Sequence, residues 1–377
     1  MIPEFFGYCT RGKRHIESGI PCEDAYLIEN TNGSVSFAVA DGHGDTNCPR
    51  SGKGAEIACR IACDELIAFA DKYSSMEALE EKEIQTAAMR IAVEWKRAVK
   101  EDLKGHPLTE QEKAGCDRYM PYYQEGMYLE HIYGSTVIAG LLTEDYLILL
   151  QQGDGRCSVY TEDGTVTFPV PGDDRCIANV TTSLCDDDAG ESFRWHLSDI
   201  RMHPPMAVIL SSDGLEDSFG YTEEVNGYEI SFLEYLLKDE GEEPEQTPEE
   251  ALNELSANGS RDDITICGFY NQELFPDIIG RLKKENEKQS ILLKIDLIEE
   301  RLFSMEGKME FLKVQYEKAC QEYILREGRN FEKRKKNALN SLEEYKKQRN
   351  QLLETKERLQ EQLKSNTGEK ENAEYPS

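Results

Sequence analysis

Along the first 270 residues, apolar runs at strand spacing repeatedly end on acidic residues, whereas the last hundred residues carry apolar positions at helical spacing on a charged background. In Val35-Ser36-Phe37-Ala38-Val39-Ala40, alternation and β-forming residues predict a strand, and Asp41-Gly42-His43-Gly44-Asp45 ends it. A related pattern follows in Ala207-Val208-Ile209-Leu210-Ser211-Ser212-Asp213-Gly214. It recurs in mirror order at Ser260-Arg261-Asp262-Asp263-Ile264-Thr265-Ile266, and Glu23-Asp24 stands before Ala25-Tyr26-Leu27-Ile28. Asp-Gly after a strand is also the chemistry of an ordinary hairpin turn, and Asp163-Gly164, between Val159-Tyr160 and Val166-Thr167-Phe168, is read as one.

Between these acids, residues 55–69 place apolar side chains at helical spacing, and a second helix is expected from about 76 to 104, ended by Gly105 and Pro107. Residues 108–131 lack periodicity and read as an irregular insertion. A β-rich block follows over 134–142, 146–150 and 157–160, with Gln152-Gly153-Asp154-Gly155-Arg156 between its last two strands. Loops and short strands are expected over 171–205, helices at 232–237 and 248–258 on either side of an acidic linker at 240–250, and a closing strand at 264–269.

Beyond Phe275 the period changes. Ile295, Ile298, Leu302, Met305, Met309, Leu312, Tyr316, Ala319 and Tyr323 step by threes and fours, a coiled-coil seam. A second seam, Ala338, Leu342, Tyr345, Leu352, Leu359 and Leu363, is out of phase with it across Gly328, which predicts a hairpin or a bent helix. The expected organisation is a domain over 1–272, helices over 273–365 and a disordered tail over 366–377.

Charge sharpens this division. The formal net charge is −30, yet residues from Arg281 onward hold 22 basic and 19 acidic side chains, which leaves about −33 on the body before them. A body so negative argues against nucleic acid and anionic membrane surfaces as partners. No apolar leader follows Met1 and no run is long enough to span a membrane, so a soluble, cytoplasmic protein is expected. Eleven scattered cysteines without a CxxC pair indicate neither a disulfide framework nor a zinc ribbon.

A fold that gathers the strand-end acids at one edge brings like charges together, which persists when cations neutralise them. Oxygen ligands without a His/Cys set suit magnesium or manganese. The basic residues Arg11, Lys13, Arg14 and His15 near such a cluster are candidates to hold a phosphate.

Taken together and in this order, Glu23-Asp24-Ala25, the run Val39 to Asp45, Gly134-Ser135-Thr136, Gly153-Asp154-Gly155-Arg156, Ser212-Asp213-Gly214-Leu215 and Ser260 to Thr265 resemble the metal-dependent protein phosphatases of the PPM type, the type 2C Ser/Thr phosphatases. The resemblance, to a divergent bacterial-type member, implies an α+β fold. Its core would be a four-layer αββα sandwich of two antiparallel sheets, here followed by a coiled coil or helical hairpin. It further implies two Mn2+ or Mg2+ ions. Asp41 would bridge both, the Gly42 carbonyl would bind one, Asp213 and Asp262 would hold one, and Glu23 would act through water. Asp154 resembles the acid that helps hold a third, weaker metal in some members, and His43 the residue proposed to protonate the leaving alkoxide. The implied reaction is hydrolysis of phosphoserine and phosphothreonine in proteins by a metal-activated water, without a phosphoenzyme.

Four positions depart from the family pattern. An arginine that commonly binds phosphate, four residues before the Glu, is Gly19 here, so phosphate binding falls to Arg14 or His15. Asp45 replaces a glycine, Gly155 a serine and Asp263 an asparagine. The competing reading is a pseudophosphatase, a binding module that works through its coiled coil. In either case the seam implies a helical partner or self-association, and removal of the residues from Arg281 on is expected to leave small-substrate chemistry intact.

Overall fold

A computed structural model describes residues 2–31, 33–116, 118–176, 180–237, 246–326 and 329–367. The predicted strand at Val35 is the clearest case of position deciding burial. β3 (Ser34–Ala40) is buried at every residue after the first, because both of its faces are covered. Phe37 and Val39 point into one core, while Ala38 and Ala40 pack into another against a helix. Small side chains on the helix face let that helix approach closely, and large ones fill the space between sheets.

β3 lies in a five-stranded antiparallel sheet ordered β2-β3-β4-β5-β8, with β2 Ala25–Thr31, β4 Val137–Leu142, β5 Tyr146–Gln152 and β8 Arg194–Asp199. The second sheet runs β1-β10-β9-β6-β7, from β1 Pro3–Thr10, β10 Ile264–Asn271, β9 Ala207–Ser211, β6 Arg156–Tyr160 and β7 Val166–Thr167. Every pairing is antiparallel. The Asp163-Gly164 hairpin is present, with Val159 opposite Thr167.

Three apolar clusters account for the layers. Between the sheets, Phe37 meets Phe269 edge to face with ring centroids 5.7 Å apart, beside Val208 and Leu210. Outside the first sheet pack α2 (Ser51–Lys72) and α3 (Glu81–Gly105), through Ala55, Ala58, Ala62, Leu66, Ile91 and Trp95. Outside the second sheet pack α8 (Thr222–Leu236) and α9 (Pro248–Asn258), through Val225, Leu233 and Leu252. The result is the four-layer αββα arrangement.

Several expectations need adjustment. The second helix starts at Glu81, after a 3-10 turn over Met76–Ala78. The 108–131 stretch is less irregular than expected, since it holds the short helices Glu110–Gly115 and Met120–Gln124. The helix expected at 232–237 begins ten residues earlier, at Thr222. Much of the acidic linker, at 240–245, lies outside the described residues.

The chain divides into two compact units, Met1–Leu282 and Lys283–Ser377. The second is formed by most of α10 (Phe275–Arg326) and by α11 (Arg329–Thr367). Within it, Lys356 pairs with Glu299 at 2.6 Å, Arg349 with Glu306 at 3.8 Å, and Gln362 with Glu287 at 3.3 Å. Numbers that rise along one helix as they fall along the other mark two antiparallel helices in contact. Ile295, Met305, Ala319 and Leu342 of the predicted seams are buried there. Gly328 and residues 368–377 of the expected tail lie outside the described residues, whereas 366 and 367 continue α11. Among the described residues no helix is long and apolar enough to cross a membrane.

Candidate active site

The acids singled out above arrive at one place because their strands end there. Asp41 follows the last residue of β3, and its N–H donates to Thr136 Oγ1 at 3.1 Å while its carbonyl accepts from the Thr136 N–H at 2.8 Å. Asp213 follows β9 and opens a four-residue helix, Asp213–Glu216. Asp262 and Asp263 sit just before β10, entered through Arg261 at φ +67°. Asp154 lies in the turn between β5 and β6.

Asp41, Asp154, Asp213 and Asp262 line one cavity of about 590 Å³, together with Gly42 and His43. Arg14 and His15 also border it, as does Asp217, a residue without a role in the sequence reading. A cavity of about 630 Å³ bounded by Leu147, Val159 and Ile200 gathers no comparable set of carboxylates.

Close approach of backbone explains Gly42. Its N–H donates to the Glu23 carbonyl at 3.1 Å, and a Cβ there would lie 2.6 Å from the Ser51 carbonyl carbon. No other residue fits without moving α2.

Electrostatics follow from burial and crowding. Asp41 and Asp213 face each other closely enough for each to perturb the other's carboxyl. Burial, and then the charges of Asp24 and Asp213, push the Asp41 carboxyl well above its ordinary value. Burial also raises Asp213, to about 6, with Asp154, Asp217 and Asp262 adding to the effect. Asp24, buried, is raised by desolvation in the same way, and its Oδ2 has no hydrogen-bond partner. Carboxyls that hold protons because they are crowded are sites a cation would discharge.

The remaining candidates have distinct surroundings. Glu23 does not line the cavity: its Oε1 accepts from Ser51 Oγ at 2.5 Å and its Oε2 lies 3.6 Å from His15 Nε2. His15 is buried, with Nδ1 2.9 Å from Asp263 Oδ1. Asp263 Oδ1 also accepts from the Gly12 N–H, and its Oδ2 from the Glu23 N–H, both at 2.6 Å. The departure from asparagine at 263 thus ties three segments together, since a carboxylate accepts at both oxygens and an amide at one. Arg14, exposed, spans Asp262 with Nη2 at 3.1 and 2.9 Å from its two oxygens. Asp154 accepts from Thr181 at 2.8 Å. His43 donates its N–H to the Gly134 carbonyl at 3.1 Å, while its ring Nε2 is buried without a partner. Burial pushes the pKa of that ring below its ordinary value, disfavouring its charged form.

Gly19 has φ +76° and closes the short helix Lys13–Ser18, so an arginine there would be strained. Asp45 is exposed and accepts from the Asn47 N–H at 2.6 Å, which makes it a turn residue at the cavity edge. Among the described residues no three acidic, histidine or cysteine side chains already surround one point as metal ligands. The donor set is nonetheless that of a hard cation, with crowded carboxyls and a backbone carbonyl at Gly42. Asp217 was legible in principle, one helical turn beyond Asp213; Thr136 stood in the Gly134-Ser135-Thr136 motif without a role, and Thr181 is brought in by tertiary structure alone.

The family model described as "Protein phosphatase 2C" matches residues 11–255. That match ends before Asp262 and β10, so their placement stands on geometry. Among solved structures, the serine/threonine phosphatase Stp1 from Staphylococcus aureus is 18% identical over 72% of this chain and 96% of its own, with a TM-score of 0.43. The Mycobacterium tuberculosis serine/threonine phosphatase PstP/Ppp is 14% identical over 72% and 100%, with a TM-score of 0.42. No curated protein matches the chain. With the model covering 245 of its 377 residues, the chain belongs to the protein phosphatase 2C family.

Proposed function

We propose that the chain is an Mn2+- or Mg2+-dependent phosphatase that hydrolyses phosphoserine and phosphothreonine in proteins. The observation that carries this reading is the convergence of Asp41, Asp154, Asp213 and Asp262, carboxyls from the strand ends of two different sheets, on one cavity. The side chains of Asp41, Asp213 and Asp262 and the Gly42 carbonyl would hold the two ions, with Glu23 acting through water and Asp154 toward a third. Such ions, when bound, lower the pKa of a water and neutralise phosphoryl oxygens during in-line attack.

The chain's own groups supply the rest. Asp41 and Asp213, both raised by burial and crowding, would release protons to bind cations, so loading would be favoured by higher pH. Arg14, whose Nη2 already contacts both oxygens of a carboxylate, would offer its guanidinium to a phosphate at the rim. His43, which lines the same cavity, would protonate a departing serine or threonine oxygen once it has itself taken up a proton there. A substrate protein fits an exposed rim better than a closed pocket would.

A second reading, a non-catalytic binding module, is favoured by one observation: Arg14 occupies both oxygens of Asp262. Hydrolysis of an aryl phosphate and of a phosphopeptide, measured with and without Mn2+, decides between them. Metal-dependent turnover abolished by Asp41→Asn and Asp213→Asn supports the enzyme; absence of turnover in the unaltered, metal-loaded chain supports the module. The helical unit, in either case, is assigned to location in the cytoplasm, self-association or partner choice.

A further inference from the structure

Two thiols lie against each other at the edge of this site. Cys9 Sγ, near the end of β1, is 3.4 Å from Cys22 Sγ, and both residues are half-buried. The contact is held from both sides: Cys9 Sγ lies 3.9 Å from the Asp24 carbonyl, and Cys22 Sγ lies 3.8 Å from the Thr10 carbonyl. Other thiols differ. Cys59 and Cys63, for example, are buried and lie against the carbonyls of Ala25 and Leu27.

We propose that Cys9 and Cys22 form an oxidative modification site, which a hydroperoxide converts to an intrachain disulfide. In the first step one sulfur, its proton released, attacks an oxygen of the peroxide; the O–O bond breaks, giving a sulfenic acid and water or an alcohol. The second sulfur then attacks the sulfenic sulfur, the S–O bond breaks, and the hydroxide leaves as water with the second thiol's proton. Two thiols and one hydroperoxide become one disulfide, one water and one water or alcohol, with two electrons passing from sulfur to the peroxide.

The geometry favours this outcome over further oxidation. Closing the sulfurs from 3.4 Å to a bond of ~2.05 Å takes about 1.4 Å. The attacking sulfur is already in contact, so the sulfenic acid meets a thiol before it meets a second peroxide. The closed ring would enclose the helix Lys13–Ser18 with Arg14 and His15. It would also pull on Glu23, the next residue, whose N–H is held by Asp263 and whose carbonyl is held by Gly42.

The test uses the full chain, hydrogen peroxide and peptide mapping by mass under non-reducing conditions. Cleavage at Arg11, Lys13 and Arg14 puts the two cysteines on separate peptides, so only a bridge keeps them together. The expected result is one linked Cys9–Cys22 peptide pair, loss of two of the eleven free thiols, and full return of both with dithiothreitol. Cys22→Ser should remove the link and leave Cys9 as a trappable sulfenic acid. Both cysteines left as thiols while others oxidise, separate sulfinic acids on each, or bridges to other cysteines would each overturn the proposal. The map on the unaltered chain reads mass and not turnover, so it stands or falls apart from the phosphatase reading.

Discussion

Arg14 Nη2 contacts both carboxylate oxygens of Asp262, at 3.1 and 2.9 Å, so the cation proposed for Asp262 would compete with a guanidinium for the same oxygens. The two claims make opposite demands on one substitution. Arg14→Ala removes a competitor for Asp262 and a nearby positive charge, and should lower the Mn2+ concentration for half-activation. It also removes the guanidinium offered to a phosphate, and should raise KM for a phosphopeptide by about tenfold, which ~1.5 kcal/mol of lost charged hydrogen bonding would cause. Steady-state kinetics over a range of Mn2+ check both; an unchanged KM removes Arg14 from substrate binding.

His43 should matter in proportion to how poor the leaving group is. Protonation of the departing oxygen helps a serine alkoxide greatly and a nitrophenolate little. His43→Gln is expected to slow phosphopeptide hydrolysis by roughly 10²-fold or more while costing less than about tenfold on p-nitrophenyl phosphate. Equal losses on both would place His43 in holding the site together.

Acid should dissolve one anchor of the first unit. Arg50 Nε donates to Glu112 at 2.7 Å, and this bond holds the Glu112 carboxyl near pH 2, at about 2 against an ordinary 4.5. A depressed carboxyl stabilises the fold fully above its unfolded value and loses that contribution as pH falls toward its folded one. Glu112→Gln, which keeps a capping group for Thr109, should therefore lower Tm at pH ~6 and converge on the unaltered chain as pH approaches ~2.5. A difference in Tm that stays constant over that window would rule out the ion pair as its source.

The buried pair Arg156 and Glu229 should be costly to halve. Arg156 Nε reaches Glu229 at 3.2 Å, Tyr160 donates to the same carboxylate at 2.7 Å, and neither charged side chain sees appreciable solvent. Glu229→Ala removes one of the guanidinium's two carboxylate partners, Glu216 remaining at 3.2 Å, and denaturant unfolding should show a loss of about 1–3 kcal/mol. Replacing both partners with apolar residues of similar size should recover most of it.

Truncation should be tolerated only beyond Leu282. Phe275, Ile278 and Leu282, on the first turns of α10, are buried with Tyr160 and Tyr270 in the core outside the second sheet. A chain ending at Leu282 should retain aryl phosphatase turnover, whereas one ending at Asn271 should melt lower or be insoluble. Removal from Arg281, the cut suggested by sequence, would take one of these three core residues with it.

The strand-end acids were legible because each sits where an apolar run stops, a local signal that needs no partner. β1 was not, since Glu4-Phe5-Phe6-Gly7-Tyr8-Cys9-Thr10 neither alternates nor avoids glycine, and is made a strand by pairing with β10. The same holds for Asp263, whose three bonds reach Gly12, His15 and Glu23 from the far end of the unit. Period identified the long helices, but not that the start of α10 belongs to the core, because a buried helical turn and a seam share one spacing. His15 and Glu23 were read as separate candidates; that they lie 3.6 Å apart is tertiary information.

Since Pro3 aligns with Asn271 and Thr10 with Ile264, the first strand made during translation has nothing to hydrogen-bond with until the tenth has left the ribosome. At ~5–20 residues per second that delay is on the order of ten to fifty seconds. Throughout it the segment that carries Arg14, His15 and Glu23 waits without its docking strand, so products truncated before β10 lack the pairing that seats these residues beside Asp262 and Asp263.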